Sequence, residues 1–78
     1  MSTLERVQRA VAAVLGVPRE SVTPSALLRE LASLDSMTLA EIAAALDDEF
    51  KTRLPSDELT AVQSVEDLVR LVERTPSR

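Results

Sequence analysis

From Thr38 to Phe50 the chain runs without a glycine or a proline, and its large apolar residues, Leu39, Ile42, Leu46 and Phe50, recur at intervals of three and four. That interval matches the turn of an α-helix and puts all four on one face. The opposite face carries Glu41, Asp48 and Glu49, with Asp47 at its flank, so the segment has to bury one side and hydrate the other. Phe50 is the only aromatic residue in the chain, which leaves any interior to Leu, Val, Ile and Ala. An aliphatic interior of this kind suits packed helices.

The flanking sequence supplies the partners for that face. Ser2 and Glu5 have capping-box spacing, Leu4, Val7, Val11 and Val14 form an apolar stripe with Ala10 and Leu15 beside it, and Gly16 offers a C-terminal stop. This predicts a first helix over 3–15, with Arg6 and Arg9 toward solvent. Pro18, Pro24 and scattered Ser and Thr then mark a long connection. Val22, Leu27, Leu28 and Leu31 are its expected anchors, with a helical turn or two over 25–31 and Leu34 as the last buried contact. Pro55 opens a short helix over 55–61 anchored by Leu59 and Val62, and Ser64 with Asp67 caps a last helix over 65–74. Val65, Leu68, Val69 and Val72 form the apolar face of that last helix. The expectation is an all-α fold: a small four-helix bundle, the central helix over 36–50, with a long loop between the first two helices and a short third one. Residues 1–78 are expected to make a single domain.

What is missing narrows the chemistry. There is no Cys and no His, which removes disulfides, thiolate zinc sites, cysteine nucleophiles and histidine acid–base catalysis. A chain of this length buries only about 60–65 % of its unfolded surface, too little to enclose a deep catalytic cleft. Neither catalysis nor a metal site is expected. No apolar run approaches the roughly 20 residues of a membrane helix, and the first residues lack the pattern of a signal peptide, so a cytoplasmic location is expected. The net charge of −4 is unevenly spread. Residues 35–58 hold seven acids against Lys51 and Arg53, whereas the remainder holds six acids and seven bases. By charge alone a solvated helix face is the favoured reading; if the acids meet a partner, a basic protein surface is expected rather than nucleic acid or a membrane.

The candidate site is Leu34-Asp35-Ser36-Met37, where loop gives way to the central helix. A hydroxyl or carboxylate at that point has two physical uses. It can accept hydrogen bonds from the helix's unpaired first amides, which is capping and needs no function. Alternatively, the positive end of the helix dipole favours a phosphate attached there, which would make Ser36 an exposed attachment point.

Taken as a whole, the chain resembles the acyl carrier proteins, the phosphopantetheine-bearing family that also includes peptidyl carriers. Asp35-Ser36-Met37 is similar to the family's Asp-Ser-Leu signature, and Glu41, the acids at 47–49 and Phe50 fall where its second helix has an acid, an acidic cluster and a closing aromatic. Leu15-Gly16-Val17, Leu54-Pro55 and Ser64-Val65-Glu66-Asp67-Leu68 agree as well. One departure is visible: the family has Leu-Gly and one variable residue before Asp-Ser, whereas here Ala32, Ser33 and Leu34 follow Leu31, one residue more and without glycine.

The resemblance implies a carrier rather than an enzyme. A phosphopantetheinyl transferase would attach 4'-phosphopantetheine from coenzyme A to Ser36, and the arm's thiol would hold an acyl group as a thioester. Asp35, Met37, Glu41, Asp47, Asp48 and Glu49 would be read by partner enzymes with basic surfaces, the protein acting as a monomer in fatty-acid, polyketide or related biosynthesis. Met37 is equally suited to core filling, and the three consecutive acids to plain solvation. The helix's alanines either let its neighbours close in, which is the expectation, or leave space for part of an acyl chain. An aminoacyl or peptidyl carrier of non-ribosomal or D-alanyl type is the runner-up. An unmodified interaction module, in which Ser36 is merely a cap, is the alternative outside the carrier class.

Overall fold

The first and last long helices both open on reciprocal caps. In a computed structural model, which describes residues 1–77, α1 spans Thr3–Leu15. Ser2 Oγ accepts from the Glu5 amide at 3.1 Å while Glu5 Oε1 accepts from the Ser2 amide at 3.0 Å. Gly16 ends α1 at φ +67°, a left-handed conformation that side chains rarely adopt, and donates its N–H to the Ala12 carbonyl. At the other end of the chain α5, Val65–Arg74, opens on Ser64 and Asp67 in the same reciprocal arrangement.

Between these lie three more α-helices: α2, Leu28–Leu31, of a single turn; α3, Ser36–Phe50; and α4, Ser56–Ala61. A 3₁₀ turn covers Arg19–Ser21. The class is all-α as expected, but the count is five α-helices among the described residues, three of them long, where four were expected. The additional one is the helical turn expected inside the long connection, confined to Leu28–Leu31, with Leu28 fully buried. Pro55 stands just outside α4 as its N-cap rather than as its first helical residue. Arg78 lies outside the described residues.

The core is aliphatic throughout. Val7 and Val11 of α1, Val22 and Leu28 of the connection, Ile42 and Leu46 of α3, and Val65, Leu68 and Leu71 of α5 are fully buried. α3 packs most extensively against α1, which also meets α5, while α4 closes over α3 and α5. In α5 the buried face is turned slightly from the expected one: Leu71 is fully buried, and Val69 only partly. Leu71 follows Leu68 by three residues and lies beside it on the same side, so packing between α1 and α4 selects it over Val69. Leu39 departs further, being half-buried outside the core at the α3–α4 seam.

Backbone hydrogen bonds fix the long connection to the start of α5. The first-turn amides of Val65 and Glu66 donate to the carbonyls of Ala26 and Pro24 at 3.0 and 2.9 Å, and the Leu28 amide donates to the Gln63 carbonyl at 2.9 Å. The connection thus satisfies amides that a helix start leaves without intrahelical partners. On the α1 side, Gln8 Nε2 donates to the Val22 carbonyl at 2.7 Å.

A chain of this size has about 4–12 kcal/mol of stability in total, at roughly 0.05–0.15 kcal/mol per residue. Leu46→Ala is expected to remove about 2–5 kcal/mol of it, measured by urea unfolding, because the void opens where α3 meets the core.

Candidate functional site

The start of α3 divides two tasks between adjacent residues. Asp35 is the N-cap: its Oδ1 accepts from the Thr38 amide at 2.8 Å, and its carbonyl accepts from the Leu39 amide at 3.1 Å. These amides, the Thr38 N–H above all, hold the Asp35 carboxyl below its usual range, so it is ionised at neutral pH. Ser36 is the first residue inside the helix, is exposed, and its hydroxyl has no hydrogen-bond partner among the described residues. Capping is therefore the work of Asp35, and the reading in which Ser36 is itself the cap does not hold.

The segment approaching the site needs no glycine. Ala32 has φ −165° and ψ 166°, an extended backbone open to any residue. Positive φ occurs, among the described residues, only at Gly16 and Lys51. Leu34 packs its side chain against the core, and Asp35, Ser36 and Met37 stand in solvent. Met37 is 72 % exposed and so is not core filler.

The acids that looked alike in sequence differ in the fold. Glu41 and Asp48 are exposed. Asp47 is half-buried, and its Oδ1 accepts from Thr52 Oγ1 at 3.1 Å and from the Leu54 amide at 2.9 Å, which ties down the turn between α3 and α4. Glu49 is held by α1: Arg6 Nε donates to its Oε2 at 2.8 Å and Arg6 Nη2 to its carbonyl at 2.7 Å, with the guanidinium 4.3 Å above the Phe50 ring. The Arg6 hydrogen bond lowers the pKa of Glu49. Consecutive helical residues are about 100° apart, so three acids in a row cannot share one outward face. Arg6, expected toward solvent, lies along this seam.

A groove of about 440 Å³ begins at Ser36 and runs between α3 and α4. Leu39, Ala43, Leu54 and Leu59 supply its apolar walls, and Ser56 and Thr60 its hydroxyls. The alanines of α3 therefore do not draw α4 into full contact, contrary to the close packing expected. A larger open hollow of about 580 Å³ lies between Arg53, Pro55 and the segment after α5, and Ser36 is not in its walls. In the sequence only the alanines of α3 pointed to such a space, because its opposite wall comes from residues 54–60.

This arrangement matches a known one. The profile of the family described as "Phosphopantetheine attachment site" matches residues 5–72. An acyl carrier protein of Saccharopolyspora erythraea is 36 % identical over 67 residues, covering 86 % of this chain and 70 % of that protein. The chain belongs to the phosphopantetheine-binding acyl carrier family. Members of this family carry covalent 4'-phosphopantetheine, are modified by phosphopantetheinyl transferases and work with biosynthetic enzymes. The exposed, unengaged hydroxyl at the positive end of α3 suits such a group, since a phosphate ester there meets the favourable end of the helix dipole. No helix among the described residues is long and apolar enough to cross a membrane.

Two measurements follow from this geometry. Asp47→Ala is expected to lower Tm by about 4–8 °C or more, the equivalent of about 1 kcal/mol in a chain this small, whereas Asp48→Ala leaves it within about 0.5 kcal/mol of the parent. In an NMR titration, the Asp35 carboxyl is expected to have its midpoint below 3.8. A lowered folded pKa means that its stabilisation is complete above the unfolded value and disappears as pH falls through the folded one. Glu5 and Asp67, lowered by the amide hydrogen bonds of the caps at Ser2 and at Gln63 and Ser64, act in the same direction, so stability should decline below about pH 4.

Proposed function

We propose that Ser36 is the attachment residue and that the chain carries acyl intermediates as thioesters for fatty-acid, polyketide or related biosynthesis. The observation that carries this reading is the exposed Ser36 hydroxyl, which has no hydrogen-bond partner among the described residues, Asp35 having the capping role. The chain has no cysteine, so the thiol that holds the cargo belongs to the attached arm. No His or Lys stands beside Ser36 as a base, and the carboxylate of Asp35 is taken up in capping α3, so the transferase supplies the chemistry of attachment. Residues 1–78 act in this reading as one carrier domain, monomeric and cytoplasmic.

The groove between α3 and α4 favours acyl over aminoacyl cargo. It starts at the attachment residue, and Leu39, Ala43, Leu54 and Leu59 offer apolar surface to an alkyl chain. Asp47 also reaches its lining, but its Oδ1 is engaged by the turn before α4. Met37, Glu41 and Asp48 form the displayed part of the partner surface, with Asp35 beside the nucleophile to position the transferase. Asp47 and Glu49 contribute to it chiefly by holding α3 in place. Exposed acids on a carrier that visits several enzymes raise association rates more than affinity.

Incubation with coenzyme A, magnesium and a broad-specificity phosphopantetheinyl transferase should add one phosphopantetheinyl group to the intact mass, and none to folded Ser36→Ala. Addition at another residue, or no addition by several transferases, would remove the assignment.

A further inference from the structure

The charge imbalance visible in the sequence has a counterpart on the side of the molecule away from Ser36. A groove of about 410 Å³ runs along the outer side of α1, lined by Arg6, Arg9, Ala10, Ala12 and Ala13, by Arg19 from the 3₁₀ turn, and by Glu49 of α3, whose carboxylate Arg6 already holds. Arg6 is committed to Glu49 and Phe50 and is thereby fixed in direction. Arg9 donates to the sulfur of Met1 at 3.3 Å, and although the fields of Arg9 and Arg19 reach Glu49 and Glu5, neither arginine has a carboxylate within ion-pair distance among the described residues. Two guanidinium groups thus stand over a furrow floored by alanines three residues apart. Small residues at that spacing let the ridge of another helix approach closely.

We propose that this groove docks an acidic helical segment of a partner protein, whose carboxylates pair with Arg9 and Arg19. Charge complementarity selects the occupant. With Glu49 neutralised by Arg6, a short acidic helix meets the surplus charge of Arg9 and Arg19, whereas an extended polyanion such as nucleic acid or an anionic bilayer also meets the field of a chain with net charge −4. The location suits a tether. Arg6 contacts the last turn of α3 and Ser36 begins its first, so the two sites are separated by about 20 Å of helix at 1.5 Å per residue. A partner held at α1 leaves Ser36 and the α3–α4 groove open to a second protein. The docking surface does not depend on modification of Ser36.

The test uses the full chain, ¹⁵N-labelled, titrated with a synthetic helical peptide bearing Glu at every third or fourth position, and with its Gln counterpart. The expected result is saturable shifts of the Arg9, Ala10, Ala13 and Arg19 amides with the Glu peptide only. Binding should weaken with added salt and by about tenfold or more in Arg9→Gln/Arg19→Gln, a pair of exposed substitutions whose folding is checked by circular dichroism. Phosphopantetheinylation of Ser36 should proceed at an unchanged rate with peptide bound, a readout that separates this proposal from the assignment of Ser36. Equal shifts with the Gln peptide, or binding that survives the double substitution, would overturn it. So would stronger effects on the same amides from phosphatidylglycerol vesicles or an oligonucleotide, or concentration-dependent shifts without peptide, which would make the occupant a second copy of the chain.

Discussion

The rest of the structure depends on α3 being buried along one side only. Ile42 and Leu46 are fully excluded from water in the core that α3 shares chiefly with α1, while Ser36, Met37, Glu41 and Asp48 remain in solvent. In a core with no large aromatic to fill space, this placement rests on many small aliphatic contacts, each of which counts in a chain with little total stability. The seam of Arg6, Glu49 and Phe50 sets the C-terminal end of α3 against α1, and Asp47 binds the turn that follows. With its far end held at both points, α3 presents its first turn in one direction.

That anchoring explains how a loop of some twenty residues delivers Ser36 reproducibly. The connection is not a slack tether: Val22 and Leu28 are buried, Gln8 holds its first half, and the opening amides of α5 are completed by its carbonyls. α5 therefore has a complete start only when the connection is in place, and the connection is extended and aligned only when α5 is formed. The result couples the two halves of the chain through backbone groups, a coupling largely independent of side-chain identity.

Polar residues follow the same logic of position. Asp35 and Ser36 are neighbours in sequence, but the first helical turn gives one an amide to accept from and leaves the other free. Asp47, Asp48 and Glu49 are likewise adjacent, and the helix turns them to a loop, to solvent and to α1. A carrier that must be recognised by other proteins thereby shows fewer charges than its composition suggests. Near Ser36 it shows Asp35 and Glu41, while Arg6, Arg9 and Arg19 line the groove along α1.

The sequence by itself determined the helices, their caps and the location of the site, because these are local matters. Apolar spacing of three and four marks a helical face, Ser2–Glu5 and Ser64–Asp67 carry their caps within one turn, and the Asp35–Ser36 pair sits at a helix start whatever surrounds it. Only the tertiary structure decided that Leu71 rather than Val69 faces inward, that Leu39 borders a groove, and that Asp47 and Glu49 have internal partners. Each of these depends on contact between residues far apart in the chain. Glu49 meets Arg6 across 43 positions, and the groove needs α4 to stand off from the alanines of α3. Periodicity assigns a residue to a side of its own helix, but the neighbour it finds there is set by how the helices pack.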